Sequence, residues 1–482
     1  MPLDEAISGW FTREDADAYG RLSRRIPNGG RMVEVGAHLG RSIISIGDEL
    51  LRREITAYCV DVWEQPSNAG AGGGPQATRE GFLANIKAHG LESRVKPLRM
   101  ASAAAARLLE EQGEQLDLVF IDASHDYEAV KADIAGWRPL IRPGGTLAGH
   151  DYHPSHPGVP RAVNELIPDA EVEGVVWYAA IPETMPVNTA LCVLAYNRPH
   201  YFRPMVEALA RNPESKQLPV FFFFDGGPGA TQEENARIVE DLKFPRAHIV
   251  ARPANLGCER NTIEARRLLF DLMGYDAIVH LEDDLVISPH YLGLMARILR
   301  WGMDNYDNVA AFQGWDRCLL PRDEKRQKLH LLRPSCTSSN LWGHVLLRTA
   351  WERIKSLMYE YELRFLQGRG DGQRDDDAVR RFIREVAQQP PRRVPGRLAP
   401  SEKGVPGCFL HPNIATGNDA LHALAMWQAG YVRLCTVVNR AVYIGREGLY
   451  GTSAQFESAQ FHHVVHDAFD EDHALTEFEV TT

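Results

Sequence analysis

Short apolar runs that each stop at a glycine or a carboxylate occur in two complete sets, separated by Ile181-Pro182-Glu183-Thr184-Met185-Pro186, a joint with two prolines in six residues. Such runs read as buried strands, and strands alternating with helical stretches build a sheet covered by helices. The fold class is therefore α/β in both halves. At 482 residues the chain exceeds one ordinary core, so the joint is expected to divide it into a domain over residues 1–182 and another over residues 186–466. The acidic stretch 467–482 reads as a solvated tail.

Composition excludes several classes. The net charge is -11 with basic residues scattered, which lacks the footprint of a nucleic-acid binder. Seven cysteines, with no C-x-x-C spacing, read as reduced thiols rather than a disulfide frame or zinc site. No apolar run reaches the length of a membrane span and the first residues are polar, so the expected location is cytoplasmic.

In the second half, the apolar run 275–279 leads into His280-Leu281-Glu282-Asp283-Asp284-Leu285. Three adjacent carboxylates at a strand exit repel one another unless a cation or hydrogen-bond donors neutralise them, and a hard divalent ion with oxygen ligands does so. The alternative is a strand-to-helix turn whose acids favour the start of a helix over residues 290–300.

In the first half, Glu34-Val35-Gly36-Ala37-His38-Leu39-Gly40 follows a strand, and the next strand ends in Asp61. The glycines let the backbone approach a ligand, and an acid at the second strand end suits a ribose; the missing GxGxxG disfavours a nicotinamide dinucleotide. With Val119-Phe120-Ile121-Asp122-Ala123-Ser124-His125 and Pro143-Gly144-Gly145-Thr146-Leu147-Ala148-Gly149-His150-Asp151, this half resembles class I S-adenosylmethionine-dependent methyltransferases. The likeness is to the branch of metal-dependent sugar O-methyltransferases, whose fold is Rossmann-like. It implies cofactor contacts at Glu34, Gly36, Gly40, Asp61 and Ser102. It also implies a Mg2+ site at Asp122 and Asp151, with His150 where relatives carry an acid, and a general base at His125. Capping of a helix near Tyr127 is the alternative for His125.

The second half resembles the nucleotide-sugar half of GT-A glycosyltransferases, in particular the inverting N-acetylglucosaminyltransferase I type. The matching pieces are Tyr196-Asn197-Arg198, Asp225 after the apolar strand 220–224, Asn261, and the triplet Glu282-Asp283-Asp284. The likeness implies nucleotide contacts at Arg198 and Asp225, with Asn261 near a uridine, and donor contacts at Glu282 and Asp283. It implies Mn2+ or Mg2+ held by Asp284. For the base that deprotonates the acceptor it favours Asp419 in Gly417-Asn418-Asp419 over Asp376 in Asp375-Asp376-Asp377, whose acids also suit a helix cap. The run 311–316 is expected to face the acceptor or to be a buried aromatic strand.

The glycine-rich stretch 68–75 lacks the Lys-Ser/Thr of a phosphate loop and reads as a surface loop or lid, and the Pro- and Arg-rich stretch 388–407 as a loop over the donor or acceptor. The expected partners are a UDP-sugar and a small-molecule or glycan acceptor. The expected function is two-fold, sugar transfer plus O-methylation of a sugar or acceptor hydroxyl in natural-product or surface-glycan biosynthesis. The alternative is an active glycosyltransferase carrying a silent S-adenosylmethionine-binding or docking domain.

Overall fold

The computed structural model describes residues 3–63, 78–315, 320–336, 341–368, 374–392, 398–400, 405–447, 452–458 and 467–481. The glycine-rich stretch 68–75, Asp316, Arg393 and Arg397 lie outside these residues. The chain forms two compact units, Met1–Glu183 with Asp470–Ala474, and Thr184–Phe469 with Leu475–Thr482.

The first unit is built on seven strands, β1 (Arg31–Val35), β2 (Thr56–Asp61), β3 (Val95–Arg99), β4 (Leu116–Ile121), β5 (Ile141–Gly149), β6 (Glu171–Glu173) and β7 (Val176–Ala180). Their order in the sheet is β3-β2-β1-β4-β5-β7-β6, parallel through β5, with β7 antiparallel to it. Every residue of β4 is buried because both faces are covered. Met32, Leu118 and Phe120 pack into one cluster, and Val33, Val35 and Val119 into another. A parallel strand buried on both sides needs a continuous apolar run, and Leu116–Ile121 supplies one interrupted only by Asp117. Strand order reverses between β1 and β4, which opens a crevice at the carboxyl ends of those strands. Gly36, in the left-handed region at φ +95°, lies so close to β4 that a Cβ there would meet the Asp122 carbonyl oxygen at 2.0 Å.

The second unit contains β8 (Thr189–Ala195), β9 (Val220–Phe224), β10 (Ala247–Ala251), β11 (Ala277–Glu282), β12 (Leu285–Ile287), β13 (Val309–Gln313), β14 (Leu331–Ser335), β15 (His344–Leu347), β16 (Val432–Thr436), β17 (Ala441–Tyr443) and β18 (Glu479–Val480). Nine of these form one mixed sheet in the order β10-β9-β8-β11-β15-β13-β16-β14-β18, and β12 pairs separately with β17. The phenylalanines of β9 divide between faces, Phe222 and Phe224 packing with Phe202 on one side and Phe221 and Phe223 entering the cluster on the other. This alternation satisfies a strand that both layers of helices cover. β13 is likewise buried throughout.

The acidic triplet does not open the following helix. That helix is Tyr291–Asn305, with no acid in its first turn. Between the two lies β12, whose pairing with β17 sets Leu285 opposite Tyr443, while the Ile444 N–H donates to the Asp284 carbonyl at 2.8 Å. The two-stranded ribbon thus folds back on the carboxylates.

The stretch expected to be a solvated tail is ordered instead. Asp472 is fully buried, Arg25 donates to Asp470 at 2.8 Å, and β18 adds to the open edge of β14 in parallel register. Two needs the sequence pattern does not express account for this. Arg25 is itself largely buried and requires an anion, and an uncovered strand edge leaves backbone groups unpaired.

Candidate active sites

In the first unit the crevice gathers Gly36, Gly40, Asp61, Asp122, His150 and Asp151. The Glu34 carboxylate is fully buried and accepts from the Tyr19 and Ser42 hydroxyls, each at 2.8 Å. Burial pushes it up to about 8 against the pull of those donors. Glu34 therefore braces the glycine turn from below. Asp61 accepts from the backbone N–H of His38 at 2.8 Å and of Trp63 at 3.0 Å, fixing the turn at the end of β2. Ser102 lies at a helix start and is engaged on both sides, donating to Asp133 at 2.5 Å and accepting from Trp137 at 2.9 Å.

Beyond the turn, β4 and β5 end side by side and deliver a polar cluster. His150 Nδ1 lies 3.3 Å from Asp151 Oδ1 and 3.7 Å from Asp122 Oδ1, and its Nε2 lies 3.2 Å from Asp15 Oδ2. Asp151 sits in the left-handed region at φ +60°, a conformation aspartate tolerates better than most residues. Its Oδ2 is 2.7 Å from His125 Nε2, and its Oδ1 is 3.7 Å from His156 Nε2. Burial opposes the charge on His150, yet its contacts with Asp15 and Asp151 and the charge of Asp122 raise it to about 10. The same surroundings lift Asp122 to about 6, chiefly by burial, while the two imidazoles hold Asp151 well below the usual carboxylate range despite burial. Asp122, His150 and Asp151 each offer a ligand atom, all within 4.8 Å of one another. That donor set fits a divalent cation. The helix near His125 begins at Tyr127 with Asp126 at its cap position, so His125 does not cap it.

In the second unit Arg198 stands among the acids that follow β11. It donates to Asp283 through both Nε, at 3.3 Å, and Nη2, and it lies 2.9 Å from Asp284 Oδ2. Asp283 and Asp284 are buried, and burial pushes them and Glu282 above the ordinary carboxylate range although Arg198 pulls them down. Asp284 Oδ1 is buried with no hydrogen-bond partner among the described residues. An orphaned carboxylate oxygen at this position fits a cation completed by a ligand's own oxygens. Gly445 presses on the same carboxylate, since a Cβ there would meet Asp284 Oδ2 at 2.4 Å. Tyr443 stacks on Trp342 at 4.0 Å between ring centroids and 7° between planes, making an apolar wall beside the acids.

Asp225 accepts from the backbone N–H groups of Gly226, Leu256 and Gly257 at 2.8–3.0 Å, so it ties the loop after β10 to the end of β9. Asn261 accepts from Arg252 at 3.1 Å. Asp419, in the first turn of the helix Asn418–Gln428, accepts from the Leu341 N–H at 3.3 Å. Burial, then the charge of Glu282, push it up to about 6, which places both carboxylates in one electrostatic field. Asp376 is committed elsewhere, accepting from Arg374 at 2.7 Å and from Thr416 at 2.8 Å, and Asp375 caps the helix through Ala378 at 2.9 Å.

Sequence reasoning missed the polar seam beneath this site. His280, His344, His422 and Arg266 are all buried, and burial keeps the three imidazoles far below their ordinary value and therefore neutral. Arg266 approaches His344 Nε2 at 3.4 Å, and His344 Nδ1 faces the Leu341 carbonyl at 2.7 Å. His344 thereby fastens the carbonyl of the residue whose N–H binds Asp419. Single histidines scattered in apolar runs carry no signal of this kind. Asp15 was also missed, because Thr12 and Asp15 form a capping box that explains the acid locally.

Comparison with known proteins separates the two units. Residues 33–152 match the family model described as methyltransferase domain, and residues 190–346 match glycosyl transferase family 2. An uncharacterized protein of Sinorhizobium fredii, y4gI, is 27% identical over 124 residues, covering 25% of this chain and 13% of that protein. The chain thus spans a small part of the curated relative it matches. Among solved structures, CalS11, a calicheamicin methyltransferase, is 19% identical over 35% of this chain and 80% of its own, with a TM-score of 0.28. The O-methyltransferase NovP is 15% identical over 36% and 84%, with a TM-score of 0.29. Likeness at this level carries no weight for activity; the family models do. The chain carries a methyltransferase domain followed by a family 2 glycosyl transferase domain, and both indicate a transferase. Among the described residues no helix is long and apolar enough to cross a membrane.

Proposed function

We propose that the chain is a bifunctional tailoring enzyme. Its second unit transfers a sugar from a UDP-sugar with inversion, and its first unit methylates a hydroxyl of that sugar or of the acceptor, in the making of a natural product or a surface glycan. The domain limits 1–182 and 186–466 belong to the same reading. The observation that carries it is that each sheet ends its central strands in its own carboxylate constellation, one in the β1/β4 crevice and one beneath the β12–β17 ribbon.

In the first unit S-adenosylmethionine would supply an electrophilic methyl group. Gly36 and Gly40, both in the left-handed region, would shape the turn that faces the cofactor, and Asp61 would mark the ribose end. Asp122, His150 and Asp151 would hold the cation and the acceptor oxygen, and His125, partly exposed and bonded to Asp151, would take the proton once the acceptor displaces that bond. In the second unit a divalent cation on Asp284 Oδ1 would offset the charge of the leaving diphosphate. Arg198 holds Asp283 and Asp284 in place and lends a second positive charge. Asp419 is the better base, because its raised value suits proton uptake near neutrality, whereas Asp376 is held low by Arg374 despite partial burial.

The test is a pair of assays on one reaction mixture. Release of UDP from a panel of UDP-sugars with Mn2+ should be lost in Asp284→Ala and kept in Asp122→Ala. Release of S-adenosylhomocysteine should show the reverse. If no methyl transfer occurs with any acceptor while UDP release is normal, the first unit is a binding module.

A further inference from the structure

We propose that Arg266 and His344 are positioning residues for sugar transfer: Arg266 selects the tautomer of His344, and His344 holds the Leu341 segment whose N–H aims the Asp419 carboxylate. The inference rests on the reading of Asp419 as the base and adds the groups behind it.

Each link follows from what the groups can donate. A guanidinium has donors and no acceptor, and a neutral imidazole has one of each. Arg266 Nη2 lies 3.4 Å from His344 Nε2, so that nitrogen must accept and the ring proton sits on Nδ1. Nδ1 faces the Leu341 carbonyl at 2.7 Å and donates to it. Burial keeps His344 neutral, which preserves this one arrangement. On the other side of the Leu341 Cα, its N–H donates to Asp419 Oδ2 at 3.3 Å. The two bonds fix the peptide planes on either side of Leu341 and so restrain both of its backbone dihedrals. Two residues on, the Gly343 carbonyl accepts from the Tyr291 hydroxyl at 2.5 Å. Gly343 stands in the left-handed region at φ +55°, where a Cβ would meet Leu285 Cδ2 at 2.7 Å. The segment that carries the donor to Asp419 is therefore pinned at both ends.

A packing role does not account for Arg266. It is fully buried, and its Nε and Nη1 have no hydrogen-bond partner among the described residues. Burying a charge with donors unmet is costly, and an apolar side chain of like size serves stability better. What the guanidinium does, and an apolar chain cannot, is force His344 Nε2 to accept. Without it the imidazole is free to move its proton to Nε2, which would set the Nδ1 lone pair against the Leu341 carbonyl oxygen and push the segment away from Asp419.

The experiment follows UDP release from UDP-glucose, UDP-galactose and UDP-N-acetylglucosamine by the full chain with Mn2+, water acting as acceptor, beside calorimetry with UDP. His344→Gln puts an amide in the place of Nε2 and leaves the Leu341 carbonyl without its donor. It should lower kcat by about 10- to 100-fold, with KM and UDP affinity within about threefold of the parent. His344→Asn, whose amide nitrogen takes the place of Nδ1, should recover most of that loss. Arg266→Met should lower kcat as well, and should cost nothing further in the His344→Asn background, where no tautomer is left to choose. Histidine 15N spectra should give His344 a protonated Nδ1 and a bare Nε2, its signals being those absent from His344→Asn. Should Arg266→Met fail to fold, the His344 pair and the spectra decide the matter. The reverse tautomer, a His344→Gln variant at the parent rate, a His344→Asn variant no better than His344→Gln, or loss of UDP affinity in step with kcat would overturn the proposal. Parent turnover in Asp419→Asn would instead remove the base reading beneath it.

Discussion

Both units gather carboxylates at the ends of neighbouring strands, and they neutralise them with different cations. In the first, imidazoles stand against Asp122 and Asp151. In the second, the Arg198 guanidinium stands against Asp283 and Asp284. An imidazole can give up its proton and present a lone pair, whereas a guanidinium stays charged and has no lone pair to offer. The first cluster can therefore exchange protons for a metal, with nitrogen among the ligands. Under the proposed function the second would admit a metal beside a permanent charge, at Asp284 Oδ1, a buried oxygen with no hydrogen-bond partner among the described residues. Similar acid clusters read from sequence thus meet different counter-charges, an imidazole next to Asp151 in one and a guanidinium 85 residues from Asp283 in the other.

The largest expected effect separates the two units. Asp284→Ala should lower sugar transfer by roughly 10^3-fold, several kcal/mol of lost charge stabilisation, with methyl transfer unchanged. A parallel fall in methylation would break the independence of the sites. Next, Asp419→Asn should cost about 10^2- to 10^4-fold in kcat with donor affinity intact, while Asp376→Asn should cost stability and leave kcat within a fewfold. Because Asp419 is pushed up to about 6 and a base must be ionised to act, kcat/KM for transfer should rise with pH and level off above that value. A profile flat from pH 5 to 7 would take the base role away from it.

Arg198→Met sharpens the contrast between the two cations. It strands buried carboxylates without their partner and should cost about 3 kcal/mol of stability in chelator, partly recovered when Mn2+ is added. Recovery would identify Arg198 as holding the place of positive charge before the metal arrives; no recovery would leave it purely structural. The smallest effect concerns Glu34, whose folded-state value of about 8 lies above its ordinary 4.5. The native state therefore binds its proton more tightly. The stability this contributes is complete below pH 4.5 and is lost as pH rises towards 8, at most about 1.4 kcal/mol per pH unit. Glu34→Gln should remove that slope from chemical denaturation measured across the window.

What the chain discloses in advance is local. Val220–Phe224 is apolar throughout, and Leu116–Ile121 apart from Asp117, because their strands are covered on both faces, so strands, order of elements and acidic strand ends are legible. The glycine at 36 is legible too, since only glycine fits against the Asp122 carbonyl. What stays hidden depends on pairing across long separations. Arg198 meets Asp283 85 residues away, and nothing near either residue announces the other. Asp15 looks like half of a capping box until β5 brings His150 to it. His280, His344 and His422 come together only when β11 and β15 pair in antiparallel register and the helix at Asn418–Gln428 lies over them. The end of the chain looks solvated because its charges are counted alone, without Arg25 or the edge of β14.

The most direct measurement is calorimetric titration of the full chain with S-adenosylhomocysteine and with a panel of UDP-sugars, each with and without Mn2+ and each in the presence of the other ligand. Two working sites predict one equivalent of S-adenosylhomocysteine, one equivalent of a single preferred UDP-sugar that needs Mn2+, and neither displacing the other. Binding of the UDP-sugar alone would leave one transferase with a silent partner domain, and binding of neither would refute the assignment of both strand-end clusters as ligand sites.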